Sequence, residues 1–345
     1  MLSRRCNLRC DYCYVPRTDS QVLSEADAER AIERAADSTR QGGRLEVAFF
    51  GGEPLLHAGK ILSLADFARR QTARRGLSLA MHLTTNGTVA EGDAWTVLAG
   101  RDFDIAVSFD GQPEVHDRHR RTRDGGPSSG LVLTTLKRLI DIGRGFTVIV
   151  VVRPDTVADL ASGVEFLLEL GVTSIHPALD IWAAWDEPDL AALDAAVTGC
   201  AELWRPVAGR AGISWLDRMA ARVAGLDGGP CARCGFGAGA VAVAPSGGLY
   251  PCERIIGHDA DDQPHRLTGH VRIGEDFLGY PPQPSRDCAA CRDCTIADLC
   301  DTTCRCSNFV RTGDAARPDA LLCRLNRACH REIMRLLAPT ERNTP

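Results

Sequence analysis

Lysine is almost missing from this chain: Lys60 and Lys137 are the only two among its 40 basic residues. Arginine supplies nearly all the positive charge, which reads as a compositional bias of the genome more than a functional signal. Neither sign of charge dominates, because 45 acidic residues leave a net charge of −5. A broad surface for nucleic acid or for an acidic membrane is therefore not expected. No apolar run approaches the roughly eighteen residues needed to cross a bilayer, and no charged-then-apolar leader precedes the first cysteine at residue 6. These absences point to a cytoplasmic protein, in a compartment where thiols stay reduced and many cysteines signal metal more than disulfides. No internal repeat stands out, and the glycosylation-like triplet Asn86-Gly87-Thr88 reads as a turn.

Cysteine is what the chain has in quantity, with 15 in 345 residues of otherwise ordinary composition. Three of them, Cys6, Cys10 and Cys13, share one short loop with the spacing Cys-x3-Cys-x2-Cys. Three thiolates can hold three irons of a four-iron cluster and leave the fourth open, whereas a fully ligated electron-transfer cluster takes four. An open iron is a place where a small molecule binds and is reduced. A zinc site or a disulfide pair is the alternative reading of the same residues.

Tyr12 stands directly before Cys13, and Gly51-Gly52-Glu53-Pro54 follows the apolar run Leu45–Phe50. Together these residues resemble the radical S-adenosylmethionine (SAM) superfamily, whose core pattern is Cys-x3-Cys-x-aromatic-Cys. The resemblance implies that the Gly51–Pro54 segment receives the amino group of the SAM methionine. Thr84-Thr85-Asn86-Gly87 and Ser108-Phe109-Asp110-Gly111 are similar to family segments lining the cofactor and substrate cavity, which nominates Thr85, Asn86, Ser108 and Asp110. In relatives a basic residue of the following stretch pairs with the methionine carboxylate, a geometry arginine satisfies bidentately. Arg120 or Arg121 is favoured over Arg118, and a solvated basic loop is the bland alternative. The chemistry implied is one-electron reduction of SAM, release of a 5′-deoxyadenosyl radical and hydrogen abstraction from a strong bond. The protein's part is to orient the cofactor and exclude solvent.

Between residues 20 and 180 helix-like and strand-like segments alternate, which argues for parallel strands with functional groups at their C-terminal ends. Ser24 with Asp27 makes a weak capping box for a helix running to Gly42-Gly43. Strands are expected at Leu45–Phe50, Ser78–Leu83, Ile105–Phe109, Thr147–Val152 and Ser174–Leu179. Helices are expected at Lys60–Arg75, Leu131–Ile142 and Thr156–Leu170, the last stopped by Gly171. Only Met1–Arg5 precedes the first cysteine loop, so the strand that should lead into it is missing. Either the start codon is assigned too late or that strand is very short, and a poorly closed edge is expected. Asp189–Arg210 and Ile213–Ala224 read as helices leading out to a Gly/Pro-rich linker at Leu226–Pro230.

Eleven of the 15 cysteines lie beyond residue 230, in a segment with few long periodic runs that metal cross-links would have to stabilise. Val241–Ala244, Pro245-Ser246-Gly247-Gly248 and Leu249-Tyr250 read as a hairpin delivering Cys252. Cys234, Gly247 and Cys252 fit Cys-x12-Gly-x4-Cys, and Cys291, Cys294, Cys300 and Cys304 give Cys-x2-Cys-x5-Cys-x3-Cys, with Cys323 after them. This order resembles the SPASM extension of peptide- and protein-modifying radical SAM enzymes. By that resemblance a first auxiliary cluster uses Cys231, Cys234, Cys252 and Cys304, and a second uses Cys291, Cys294, Cys300 and Cys323. With the SAM-binding cluster this makes three [4Fe-4S] clusters, and Cys200, Cys288, Cys306 and Cys329 are left as structural or idle. Cys231 and Cys234 are closer together than the corresponding pair in relatives, so Cys231 is the doubtful ligand. A zinc ribbon built from Cys231-x2-Cys234 and Cys291-x2-Cys294 is the alternative.

The expected fold is α/β: a partial (β/α)6 TIM-like barrel within residues 1–227, then a small cysteine-rich SPASM domain with a β-hairpin and a C-terminal helix in 228–345. The expected function is a radical SAM/SPASM maturase acting on a peptide or protein residue and giving a crosslink or an oxidised side chain. Sulfatase-type formylglycine formation and a small-molecule dehydrogenase are the enzymatic alternatives, and a non-catalytic zinc-ribbon protein is the remote one. Glu253 follows Cys252, where sulfatase-maturing relatives place an aspartate that acts as base; the resemblance makes Glu253 the candidate catalytic base, and an ordinary hairpin acid is the alternative reading. Asp180, Trp182 and Trp185 stand where they could touch substrate or pack against the second domain. The expected partners are a peptide or protein substrate, with a ribosomally made precursor peptide as the first choice, a flavodoxin or ferredoxin as electron donor, and, unless the core itself recognises the leader, a separate leader-peptide recognition protein.

Overall fold

A computed structural model describes residues 1–16, 21–226, 236–237, 239–260, 263, 265–274, 277, 289–300 and 304–338. In chain order the elements are α1 (Glu25–Ser38), β1 (Arg44–Phe49), α2 (Ala58–Arg75), β2 (Ser78–Thr85), α3 (Asp93–Ala99), β3 (Phe103–Ser108), α4 (Pro113–His119), α5 (Ser129–Asp141) and β4 (Thr147–Val152). Then come α6 (Leu160–Leu170), β5 (Ser174–Leu179), α7 (Glu187–Trp204), β6 (Gly212–Ile213), α8 (Ser214–Val223), the hairpin β7 (Ala242–Val243) and β8 (Leu249–Tyr250), α9 (Ala289–Arg292), α10 (Arg305–Thr312) and α11 (Ala320–Leu337).

The first six strands form one sheet in the order β1-β2-β3-β4-β5-β6, with β1-β2, β2-β3, β3-β4 and β5-β6 paired in parallel. Sequential parallel strands joined by helices are the (β/α)6 arrangement that the alternating pattern predicts. The chain divides into two compact units, each built from separated segments. One comprises Met1–Phe109, Pro113–Ile149 and Cys234–Pro284; the other comprises Asp110–Gln112, Val150–Arg233 and Ser285–Pro345. The cysteine-rich region beyond residue 228 is thus shared between them.

In the first unit, α2 buries Ile61, Leu64, Ala65, Ala68 and Thr72, the spacing of one helical stripe. It ends at Gly76, whose φ of +63° no other residue adopts as cheaply. At α1, Ser24 accepts from the Asp27 backbone N–H at 3.0 Å, but the reciprocal half of the expected capping box is absent. The Asp27 carboxylate instead takes the Ser24 hydroxyl at 2.6 Å and both ends of the Arg272 guanidinium at 2.6 and 2.7 Å. That pairing holds the Asp27 carboxyl down at about 2, the Arg272 hydrogen bonds being the largest cause.

Met1–Arg5 does not leave an open edge. Leu2 donates to Phe50 O at 3.1 Å, Leu23 donates to Leu2 O at 2.8 Å, and Ser3 bridges Val22 in antiparallel register. Gly52 N–H then reaches Ser3 O at 3.0 Å and Glu53 N–H reaches Arg5 O at 2.8 Å. The short segment is therefore paired along both sides, and Leu2, Ser3 and Arg4 are buried. Its partners lie far away in sequence, so no local pattern announces it.

In the second unit, Gly111 and Gly163 meet face to face: a Cβ on Gly111 would sit 2.7 Å from the Gly163 Cα. Asp186 and Asp189 form a complete capping box on α7. Helix α11 packs on α7 and α8, and Glu332 on α11 accepts from Thr198 on α7 at 2.9 Å. Cys200 and Cys329 are buried there, and burial pushes both thiols up to about 12.

Candidate active site

The N-terminal cysteine loop lies along the segment His119–Arg123. Arg9 N–H donates to Arg121 O at 2.7 Å, Asp11 N–H to His119 O at 3.1 Å, and Leu8 bridges Thr122. The Arg123 guanidinium closes the far end by donating to Cys6 O at 2.7 Å. These antiparallel contacts set Cys6, Cys10 and Cys13 on a loop held at both ends, with Cys13 exposed and the other two half-buried.

Gly51-Gly52-Glu53-Pro54 crosses the start of that loop at backbone contact. A Cβ on Gly52 would stand 2.2 Å from Arg5 O and 2.5 Å from Arg4 O, and one on Gly51 would stand 2.4 Å from Ser3 O. The two glycines therefore let the motif approach the chain just ahead of Cys6. Glu53 is fully buried, and its carboxylate accepts from Leu55 N at 2.9 Å, Thr85 Oγ1 at 2.8 Å and Asn86 N at 2.7 Å. Burial pushes its carboxyl up to about 7, while the three donors pull the other way. Pro54 opens the 3-10 turn Pro54–His57 that follows.

Asn86 continues the connection to the N-terminal cysteine motif. Its Nδ2 donates to Asn7 Oδ1 at 2.9 Å and lies 3.7 Å from Cys6 Sγ. Glu53, Thr85, Asn86 and the cysteine loop, distant in sequence, are thereby brought together.

Tyr12 and the 118–121 candidates separate clearly. Arg120 is buried with its Cζ 5.2 Å from the Tyr12 ring centroid, whereas Arg118 and Arg121 are exposed. Arg120 follows the last turn of α4, where His116 stacks on Phe109 at 4.7 Å between centroids. Ser128, hydrogen-bonded to His116, also donates to the Arg120 carbonyl at 2.5 Å. Ser108 ends β3. Asp110 is buried and accepts from Val151 N–H at 3.0 Å, tying its loop to β4.

Residues 1–167 match the model of the Radical SAM superfamily. The chain is a radical SAM enzyme. Over 322 residues, 87% of the chain and 76% of the relative, it is 27% identical to the serine-type anaerobic sulfatase-maturating enzyme of Klebsiella aerogenes. Its fold matches a solved structure of anSMEcpe with bound AdoMet and Kp18Cys peptide at a TM-score of 0.80 and 18% identity, covering 97% of this chain and 95% of that one. Streptococcus suis SuiB bound to the precursor peptide SuiA matches at a TM-score of 0.61 and 16% identity, over 93% of this chain and 74% of that one.

Membership of this superfamily implies a four-iron cluster and SAM. In this radical SAM enzyme the N-terminal donor set fits the cluster: three thiols lie within eight consecutive residues, and Cys6 Sγ faces the N–H groups of Leu8 at 3.4 Å and Asn86 at 3.7 Å. Burial, the larger effect, holds the Cys6 thiol above its ordinary range, and these two donors pull it back toward the thiolate. Among the described residues, no three His, Cys, Asp or Glu side chains already close around one point as metal ligands.

Cys231 and Cys234 lie outside the described residues, as does Cys288. Cys252 caps the 3-10 turn Glu253–Ile255, and its thiol lies 3.4 Å from the Glu253 carboxylate. Cys291 lies on α9, and Cys294 N–H turns back onto Cys291 O at 3.3 Å. Cys300 ends the 3-10 turn Ala297–Leu299, Cys304 caps α10 and Cys323 rides on α11. The backbone at Ile296, with Arg327 4.0 Å away, lowers the Cys294 thiol, which suits a thiolate ligand. Cys306 is buried but not isolated, because its Sγ lies 3.4 Å from that of Cys304.

Asp180 is committed to structure. It accepts from the backbones of Trp182 and Ala183 at 3.0 and 3.2 Å and from Arg153 at 2.6 Å, and the Trp185 indole donates to its carbonyl at 3.0 Å. Trp182 is exposed.

Proposed function

We propose that this enzyme oxidises a side chain of a peptide or protein, a reaction of the sulfatase-maturing type. The observation that carries the reading is similarity along nearly the whole chain. The match to the Klebsiella aerogenes enzyme runs over 87% of it, and the fold agrees better with anSMEcpe than with SuiB, at TM-scores of 0.80 and 0.61. The relative's name, a sulfatase-maturating enzyme, is what favours side-chain oxidation over crosslinking here.

Cys6, Cys10 and Cys13 would hold the SAM-binding cluster. Cys231, Cys234, Cys252 and Cys304 would hold one auxiliary cluster, and Cys291, Cys294, Cys300 and Cys323 the other. When bound, the first cluster and SAM supply hydrogen-atom abstraction, and the auxiliary clusters supply a sink for one electron. The chain's own groups divide the remaining work. Gly51 and Gly52 let the cofactor-binding turn lie against the cysteine loop, and Glu53 locks that turn to Thr85 and Asn86. Arg120, buried beside Tyr12, pairs with the methionine carboxylate, for which its planar fork is suited. Glu253 takes the proton from the substrate hydroxyl or thiol. Loss of one hydrogen atom, one proton and one electron leaves the side chain two hydrogens lighter, as a carbonyl or thiocarbonyl carbon requires.

The test is anaerobic reconstitution with iron and sulfide, then incubation with SAM, a reductant and peptides carrying a serine or cysteine in a sulfatase-type context. Mass spectrometry should show a product that reacts with hydrazine as an aldehyde. A crosslinked product without an aldehyde would refute side-chain oxidation while leaving the enzyme class intact.

A further inference from the structure

Beside Cys6 the structure holds a closed ring of amide and hydroxyl hydrogen bonds. Thr88 donates from both its backbone N–H and its hydroxyl to Asn86 Oδ1, at 2.9 and 2.7 Å. A backbone N–H can only donate, so the Asn86 side chain has one allowed orientation, with its oxygen on Thr88 and its nitrogen turned away. That nitrogen meets Asn7 Oδ1 at 2.9 Å and Cys6 Sγ at 3.7 Å. Asn7 is fixed by the same logic: its oxygen accepts from Asn86, so its nitrogen donates to Thr88 Oγ1 at 2.7 Å. The backbone of Asn86 is held separately, through its N–H on the buried Glu53 carboxylate at 2.7 Å. Asn86 is itself buried, so solvent does not compete for its amide.

We infer that Asn86, oriented by Asn7 and Thr88, is a positioning residue that donates its side-chain amide to the Cys6 sulfur and raises the reduction potential of the N-terminal cluster. The inference rests on the proposed ligation of that cluster by Cys6, Cys10 and Cys13. The physical reason is charge. Reduction adds an electron that is shared with the ligand sulfurs, and an N–H aimed at one of them stabilises the more negative state. The Leu8 N–H, 3.4 Å from the same sulfur, belongs to the backbone and is present whatever the side chains. The Asn86 amide is the adjustable donor. It also couples the two halves of the site, because Glu53, which locks the Gly51–Pro54 turn, fixes the backbone that aims this amide.

The test is a redox titration of the anaerobically reconstituted protein, following the reduced cluster by electron paramagnetic resonance. Wild type, Cys6→Ala, Asn86→Ala and Asn7→Ala are compared. Asn86→Ala should lower the reduced-to-oxidised ratio of the N-terminal cluster about tenfold at a fixed solution potential, a fall of about 59 mV for a one-electron couple. Asn7→Ala leaves the donor in place but removes one partner that aims it, so a smaller shift of the same sign is expected. If Asn86→Ala fails to hold iron, the Asn7→Ala titration decides by the same criterion. A cluster whose potential is unchanged in every variant that holds it overturns the inference alone. A wild type that builds no cluster, or a Cys6→Ala variant that keeps the wild-type signal, overturns the metal assignment and the inference together.

Discussion

Gly52→Ala tests how the cysteine loop is held. The added Cβ would stand 2.2 Å from Arg5 O and 2.5 Å from Arg4 O, and neither contact is the far end of a flexible side chain. Relief requires the Gly51–Glu53 turn and the Ser3–Arg5 segment to part by about 1 Å, since carbon and oxygen resist approach much inside their contact distance. The two hydrogen bonds joining them, 3.0 Å at Gly52–Ser3 and 2.8 Å at Glu53–Arg5, would then be stretched beyond use. Two lost buried hydrogen bonds at about 1 kcal/mol each, plus about 1–3 kcal/mol of overpacking, give a destabilisation of roughly 3–5 kcal/mol. For a chain of 345 residues that is a fall in melting temperature of roughly 4–7 °C. Thermal melts of anaerobically purified protein measure it, and iron analysis should show less metal bound because the loop leading into Cys6 is displaced. A variant that melts and binds iron like the wild type would refute the account of how these glycines work.

Glu53→Ala removes the acceptor of three buried donors, the Leu55 and Asn86 N–H groups and the Thr85 hydroxyl, whatever the protonation state of the carboxyl; a loss of about 2–4 kcal/mol is expected in chemical denaturation. Asp27→Asn should lower stability at neutral pH. Because the folded carboxyl titrates at about 2, below its ordinary value of 3.8, the wild-type advantage is fully present above about pH 4 and vanishes as pH falls through 2. Acid titrations of the two proteins should therefore converge at the acid end, and a constant gap would contradict the assignment. Arg120→Lys should weaken SAM binding by about tenfold or more in equilibrium dialysis while Arg121→Ala leaves it within about twofold, since only Arg120 is buried beside Tyr12. Gly130→Ala, in an exposed helical position with nothing within 4 Å of the new Cβ, should stabilise by about 0.5–1 kcal/mol in the same melts.

The elements most legible in the sequence are those with one dominant local cause. Thr147–Val152 and Ser174–Leu179 coincide with β4 and β5, and β4 is the clearer case because its almost wholly branched run, Thr-Val-Ile-Val-Val-Val, fits little else. Gly171 stops α6 with a φ of +99°, as a helix-ending glycine does. Strand β2 runs two residues past its expected end because Thr85, polar by type, is buried with its hydroxyl satisfied by Glu53. The segment Glu114–Arg121, readable as a basic loop, is largely the helix α4, whose buried face is Val115 and His116. The site divides in the same way. Cysteine spacing and the Gly51–Pro54 motif were visible as local patterns, and the family match to residues 1–167 agrees with them. The partnership of Asn7 with Asn86 joins residues 79 apart, and Asp27 with Arg272 joins residues 245 apart. Only the folded chain brings such residues together, so no periodicity or spacing carries them.

The central claim is that Cys6, Cys10 and Cys13 hold a cluster that cleaves SAM reductively. The most direct measurement is 5′-deoxyadenosine formed by anaerobically reconstituted protein with SAM and a strong reductant, set beside a Cys6/Cys10/Cys13→Ala triple variant that keeps the remaining cysteines. The account predicts 5′-deoxyadenosine from the wild type and none above background from the variant, which should also bind about four fewer irons per chain. Equal product from both proteins, or none from a wild type fully loaded with iron, would contradict it.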